Sequence, residues 1–507
     1  MSGDELKKEF GDYQTPEDFA DTVCRYLHSN LKIDPEYIIE PTSGIGNFLR
    51  ASAEEFTSAK KIYGVEINEE YCEISRKIPD DRIEVISDNY FTFDTKKLIS
   101  APSSVLVIGN PPWATNSELN FNLPEKVNFK GLSGTDAITG ASNFDICEYI
   151  ILKIIEEFQN TDTTIVMLCK TSVARNVYME LNRNQRHFEY VKMLNFNSSK
   201  VFGISAAACL LVIKMTNKQI DKPLCEVSNL ETPDHILHNI AYNDGSLSIQ
   251  NDSVLDLEGT CQIDWRQGVK HDCASVMELK NREDSFYENK RKEKIELEET
   301  LVFPLMKSSS FKKPIISDSF DKFVIVTQKK ARDDTSYIKD AAPKTWEYLV
   351  KNKDLFDNRK SSIYKGAPDF SMFGVGDYSY VPYKVGISGF YKRPLFSLLY
   401  NGENVEHPIM VDDTSYFLSF EKYDIAYVCM LLFNSEKVQN FLYSISFQDA
   451  KRPYTKKVLQ RLDIEKCVQN VTLTDLQQVE EKFELPKYVN DDMYHEFARL
   501  FSHDLLG

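Results

Sequence analysis

The segment Tyr37-Ile-Ile-Glu-Pro-Thr-Ser-Gly-Ile-Gly46 decides how the first third of the chain is read. A short apolar run ends at Glu40 and Pro41, and Gly44 and Gly46 then lead into a helical stretch from Asn47 to about Phe56. Glycines between a strand and a helix let the backbone turn tightly and approach a ligand at the helix N-terminus. The third glycine of a dinucleotide fingerprint is missing, since Leu49 holds its place, and no Lys-Ser/Thr follows as a P-loop requires.

Outward from this turn the pattern alternates. Upstream, Pro16 to Asn30 is apolar at helical spacing through Phe19, Val23, Tyr26 and Leu27, with Thr15 as N-cap and Pro16 at the first helical position. Downstream come a strand at Lys61–Glu66, a helix at Glu69–Lys77, a strand at Ile83–Ile86 before Asp88, and the wholly apolar strand Ser104–Gly109. A helix at Phe144–Phe158 and strands at Thr163–Leu168 and Ala206–Met215 continue the order. Strands alternating with helices, one of them apolar on both faces, predict an α/β fold with a doubly wound, mostly parallel sheet.

The alternation fades after about Lys218, where polar residues and prolines gather. The expected organisation is a catalytic domain over residues 1–220, a linker over 221–240 and a separate α+β domain over 241–507. The charged run Glu283–Thr300 reads as a solvated helix.

Composition narrows the class. With 42% hydrophobic and 27% charged residues over 507 positions, the chain is globular and long enough for several cores. No apolar run reaches the roughly 20 residues of a membrane helix. The opening Met1-Ser-Gly-Asp-Glu-Leu-Lys-Lys8 has no apolar region like that of a signal peptide. Ten scattered cysteines form no CxxC pair and no metal-ligand spacing, so buried free thiols in a reducing cytoplasm, and no metal site, are expected. The net charge of −17 opposes a nucleic-acid partner unless cations cluster locally.

Three acids close consecutive strands: Glu40, Glu66 (followed by Ile67) and Asp88. All three fall at the carboxyl edge, where such sheets bind ligands. Glu66 can accept both ribose hydroxyls of a nucleoside, and Asp88 can accept from an adenine amino group. An acidic pocket favours a neutral or positive adenosine over a pyrophosphate, and S-adenosylmethionine, with its sulfonium and ammonium, fits that requirement.

Asn110-Pro111-Pro112-Trp113 follows the most apolar strand. Consecutive prolines hold an extended, rigid segment whose carbonyls remain available as acceptors. The Asn110 amide oxygen and the Pro111 carbonyl can bind both N–H bonds of an exocyclic amine, localising its lone pair toward a methyl donor. Trp113 offers a flat face for the attached ring.

In these motifs the chain resembles the amino-group DNA methyltransferases, in particular the adenine-N6 enzymes. Tyr13-Gln-Thr15-Pro16 resembles their N-terminal cofactor segment, with Thr15 the residue carried over; Glu40, Pro41, Gly44 and Gly46 resemble the glycine loop, Glu66 and Ile67 the ribose acid and its neighbour, and Asp88 with Phe91 the adenine pair. Asn110 to Trp113 resembles the catalytic tetrapeptide, with Trp where Tyr or Phe is commoner; Phe202, in Lys200-Val-Phe202, resembles the second aromatic against an extruded base. The motif order, cofactor segment first and recognition region last, is the gamma arrangement of type II restriction–modification enzymes.

The resemblance implies a Rossmann-like methyltransferase fold, S-adenosylmethionine as cofactor, base flipping, double-stranded DNA as partner, and a target-recognition role for residues 241–507. In that region Lys312, Lys313, Lys329, Lys330, Arg332, Arg359, Lys360, Lys384, Lys392, Arg393, Lys451, Arg452, Lys456 and Lys457 form basic clusters interleaved with Tyr and Phe, suited to phosphate contacts. Cytosine-N4 methylation needs the same geometry, and Asn ahead of the prolines leans to adenine. A non-catalytic cofactor- or DNA-binding subunit is the alternative of a different class. No fused nuclease is expected, so a restriction endonuclease, if present, is a separate partner.

Overall fold

The computed structural model describes residues 13–99, 103–114, 145–221, 223–251, 253–254, 256–283, 286–318, 320–402 and 407–501. The N-terminal octapeptide and Phe144 lie outside the described residues. Two compact units divide the chain, Met1–Gln250 and Asn251–Gly507.

The first unit is built on ten strands: β1 (Tyr37–Glu40), β2 (Lys61–Glu66), β3 (Ile83–Ser87), β4 (Val105–Gly109), β5 (Thr163–Lys170), β6 (Phe188–Phe196), β7 (Ala208–Met215), β8 (Cys225–Asn229), β9 (His238–Asn243) and β10 (Ser246–Ile249). Their order is β10-β9-β8-β6-β7-β5-β4-β1-β2-β3. From β3 across to β5 every pairing is parallel, with Tyr37 opposite both Lys61 and Val105. That register brings the ends of β1, β2, β3 and β4 to one edge. The strand order reverses between β1 and β4, which opens a crevice at their carboxyl ends where doubly wound sheets bind ligands.

Among the described residues six α-helices accompany these strands: α1 (Glu17–Ser29), α2 (Asn47–Glu55), α3 (Glu69–Ser75), α4 (Ile146–Glu157), α5 (Thr171–Arg183) and α6 (Ser198–Phe202). β4 is buried at every position and β5 at all but its last, as central strands covered on both faces must be. The elements expected through β5 are present, with ends shifted by a few residues. Pro16, not Thr15, occupies the N-cap of α1; a residue preceding proline is driven out of the helical region, so Thr15 stays extended.

The sequence pattern did not single out α5 and β6. α5 buries Arg175 and Glu180 beside Val173, Ala174, Val177 and Leu181, so polar residues interrupt its apolar period. The stretch 221–240 read as a linker holds β8 and the start of β9 and so belongs to the sheet of the first unit. β8 pairs parallel with β6, and β9 and β10 form a hairpin on it. Its turn is Asp244-Gly245, both at positive φ, the two-residue type that matches strand twist. Polar residues on these edge strands hid the alternation.

The second unit is α+β. One five-stranded sheet runs Arg266–Gln267, Ser415–Phe420, Tyr383–Ser388, Phe396–Leu399 and Ile315–Ile316 in spatial order. The helix Tyr423–Asn434, buried at ten positions, packs in the same core as this sheet. A six-stranded sheet holds Lys294–Glu296, Phe286–Asn289, Glu278–Glu283, Phe323–Ile325, Val302–Met306 and Met410–Val411. The charged run read as a helix therefore forms strands. Tyr287 and Asn289 point inward while Phe286 and Glu288 are more exposed, a period of two that the flanking charges obscured.

All ten cysteines are buried and unpaired. Among the described residues no helix is long and apolar enough to cross a membrane.

Candidate active site

The β1–α2 turn is shaped by its glycines. Gly44 and Gly46 adopt φ of +51° and +86°, where side chains are strained. A Cβ on Gly46 would stand 2.9 Å from Ile78 Cδ1, and one on Gly44 would overlap the Gln14 side-chain oxygen. Gln14 Oε1 accepts from the Ile45 amide at 3.1 Å, and Asn47 Nδ2 donates to the Thr15 carbonyl at 2.7 Å. The buried Thr15 thus belongs to an N-terminal segment tied to the glycine turn.

Glu66, at the end of β2, is fixed from both sides. Its Oε2 accepts from the Gly44 amide and its Oε1 from the Asn68 amide, each at 2.8 Å. Glu40 is 3% exposed, and burial, then the charge of Glu66, holds its carboxyl well above the usual range. Among the described residues, Glu40 Oε2, Thr42 Oγ1 and Ser43 Oγ are buried without hydrogen-bond partners. Unpartnered buried polar atoms are costly in a finished core, and three of them gather where β1 passes into the glycine turn.

The remaining cofactor-site residues are placed less tightly. Asp88 is exposed, joined to β2 by its amide donating to the Glu66 carbonyl at 3.0 Å. Ile67 is 53% exposed, and Phe91 packs edge-on against Tyr149 with ring centres 5.6 Å apart. Pro41 is buried beneath Gly109, where a Cβ would lie 3.4 Å from Pro41 Cδ, so the ends of β1 and β4 approach closely.

Asn110 leaves β4 with its side chain oriented by a neighbour. Nδ2 donates to the Tyr13 carbonyl at 2.6 Å, and Oδ1 is buried with no partner among the described residues. Because a carbonyl can only accept, this contact sets which end of the amide is nitrogen and leaves the oxygen as an open acceptor. Pro111 is buried and Pro112 half-buried. Trp113, also buried, donates from Nε1 to the Leu168 carbonyl at 3.2 Å.

Phe202 ends the short helix α6, capped by the Asn197 side chain and terminated by Gly203 in the left-handed region. Its ring lies 5.5 Å from Trp113 at 69° and 6.4 Å from Tyr13, and Tyr13 and Trp113 are also 6.4 Å apart. Three aromatic rings thus meet beside the Asn110 oxygen's own segment. The structure brings the rings of Trp113 and Phe202 together and joins both to Tyr13, whose carbonyl orients the Asn110 side chain. The signal for Tyr13 was its place directly before Gln14 and Thr15; for Asn68 it was an N-cap amide two residues past Glu66.

The basic residues of the second unit separate into two kinds. Lys384 is 1% exposed, donates to the Val381 carbonyl at 2.9 Å, and is pushed down to about 7 by burial. Arg359 is spent on the carbonyls of His271, Ser371 and Phe356 and lies over the Tyr364 ring. These two are structural, because sequence shows a cation but not the strand face that bears it. Lys312, Lys313, Lys329, Lys330, Arg332, Lys360, Lys392, Arg393, Lys451, Lys456 and Lys457 are exposed, with Lys330 paired to Asp377 and Lys392 donating to the Gln448 and Ala450 carbonyls, and Arg452 is half-buried over the Phe390 ring. A further concavity on the six-stranded sheet is lined by Lys280, Lys290, Lys292, Lys307 and Lys322 with Glu278 and Glu288.

The sequence is 39% identical over 478 residues to the type II methyltransferase M.NspV of Nostoc sp., a match spanning 91% of this chain and 98% of that one. Among solved structures, a DNA-bound ATP-dependent type ISP restriction-modification enzyme, LlaBIII, aligns over 80% of this chain and 33% of its own at 12% identity and a TM-score of 0.43. A modification subunit of a putative type I restriction enzyme from Vibrio vulnificus aligns over 45% of this chain and 48% of its own at 13% identity and a TM-score of 0.29. No protein-family model matches the sequence.

Proposed function

The chain belongs to the type II methyltransferases of restriction–modification systems, and from that premise we propose that it methylates N6 of an adenine swung out of duplex DNA. The observation that carries the reading is the Asn110 amide, oriented by the Tyr13 carbonyl so that its buried oxygen is left without a partner.

The cofactor is S-adenosylmethionine, and the turn residues suit it: Glu66 would take the ribose hydroxyls, Asp88 the adenine amine, and the Glu40 carboxyl, whose Oε2 has no partner among the described residues, the cationic end. When bound, it supplies an electrophilic methyl group. The protein's part is orientation. Asn110 Oδ1 and the Pro111 carbonyl accept the two N–H bonds of the target amine, which draws its nitrogen toward a tetrahedral shape and directs its lone pair. Trp113, Phe202 and Tyr13 provide aromatic faces and edges for the extruded ring, offsetting an unstacking cost of a few kcal/mol. The exposed lysines and arginines of the second unit serve phosphate contacts and target recognition.

The test is chemical. DNA incubated with the protein and methyl-labelled cofactor is digested to nucleosides and the modified base identified. N6-methyladenine is expected; N4-methylcytosine would move the same geometry to the other amine, and no modified base would contradict the proposal.

A further inference from the structure

Trp113 is held to β5 at two points. Its indole Nε1 donates to the Leu168 carbonyl at 3.2 Å. Its own carbonyl accepts from the ammonium of Lys170, the last residue of β5, at 3.4 Å. The same ammonium donates to Asp145 Oδ2 at 3.0 Å, and Asp145 caps α4 by accepting from the Cys147 amide through Oδ1 at 3.1 Å. Main chain joins the same places again, where the Ile146 amide donates to the Ala114 carbonyl at 3.0 Å. One side chain therefore ties together the end of the diproline segment, the end of β5 and the start of α4.

The prolines fix φ at positions 111 and 112 but leave the backbone at Trp113, and with it the indole plane, to be set by other contacts. Lys170 and Asp145 have side-chain exposures of 29% and 13%, so their attraction is less screened than that of a surface pair. An ammonium carries three donors and no acceptor, and here two of the donors have partners. This is the chemistry of a clamp.

We propose that Lys170 is a positioning residue: by holding the Trp113 carbonyl against Asp145, it fixes the aromatic plane on which the target base stacks. The inference rests on the reading of Trp113 as a base platform given above.

Removing Lys170 alone would leave the Asp145 carboxylate partly buried and unpaired, which can unfold a protein for unrelated reasons. The informative variant is Lys170→Met combined with Asp145→Asn, since Asn keeps the capping acceptor. Two readouts are taken on the full chain. In the first, 5-fluorotryptophan replaces the three tryptophans, and Trp113→Phe assigns the fluorine resonance of that position. The expected result is a shifted or broadened Trp113 signal with those of Trp265 and Trp346 unmoved. In the second, single-turnover methyl transfer to DNA should fall about 10- to 100-fold, with cofactor Kd unchanged and most of the rate recovered in Lys170→Arg. A Trp113 resonance identical to the parent, or a parental transfer rate in the double variant, overturns the proposal. A loss of cofactor binding equal to the loss of rate overturns it as well, because that outcome reports general disorder. The fluorine readout needs no DNA, so it separates this inference from the proposed function, which fails if the parent protein modifies no DNA base.

Discussion

Glu40 is held protonated well above the usual 4.5 because burial and the neighbouring Glu66 both disfavour its charge. Its ionisation opposes folding: the folded chain binds the proton more tightly than the unfolded one. The penalty is absent below the unfolded pKa of about 4.5, grows as pH rises above it, and is complete above the raised folded pKa. Glu40→Gln should therefore raise Tm at pH 7 and leave it unchanged near pH 4, as read by thermal unfolding at the two values. A cationic ligand reverses the preference. Cofactor affinity should rise with pH as Glu40 ionises, and Glu40→Gln should weaken it about tenfold at neutral pH, the scale of one lost charged hydrogen bond; titration calorimetry across pH checks both statements. Stability and binding are set against each other at this one carboxyl, which the sequence presents only as an acid closing a strand.

The glycine turn links residue chemistry to an element. Gly46 occupies the N-cap of α2 at φ +86°, with Ile78 and Ser75 on the space a side chain would need. Gly46→Ala should cost about 1–3 kcal/mol of stability through backbone strain, measured by denaturant unfolding, and should weaken cofactor binding because the Gly44 amide that holds Glu66 sits in the same turn. Elements of this kind were legible. Two glycines, a strand before them and a helix after them predict their own geometry, and β1 to β5 lie where their apolar runs placed them. α5 was not legible because Arg175 and Glu180 are buried within it. The hairpin of β9 and β10 carries its signal in Asp244-Gly245, but edge strands with mixed faces give little alternation to read. The strands Phe286–Asn289 and Lys294–Glu296, inside the charged run Glu283–Thr300, were read as helix because charge was weighed above period.

On the scale of the whole molecule, a chain of net charge −17 must concentrate cations locally to meet DNA. Sequence located basic residues but could not say which are consumed by the fold, as Lys384 and Arg359 are, and it did not assemble the lysines around Glu278, of which Lys280 lies in a strand, Lys290 and Lys292 in a turn, and Lys307 and Lys322 just beyond strand ends. Lys322 makes no ion pair among the described residues, whereas Lys290 and Lys307 both meet Glu278. If this concavity takes part in phosphate contacts, Lys280→Gln with Lys322→Gln should flatten the plot of log K against log salt by about 2. The control pair Lys384→Met and Arg359→Gln should instead lower thermal stability or leave it unchanged, with the salt slope intact. DNA binding measured by anisotropy between 50 and about 200 mM salt distinguishes the two sets.

Beneath every scale lies the amide oxygen of Asn110, buried without a partner among the described residues, with its nitrogen donating to the Tyr13 carbonyl. The direct measurement is single-turnover methyl transfer by Asn110→Ala alongside its cofactor Kd. The account predicts a rate lower by at least about 10²-fold, the cost of one lost preorganised polar contact, with a Kd within about twofold of the parent. A near-parental rate, or a Kd that deteriorates as much as the rate, would contradict it.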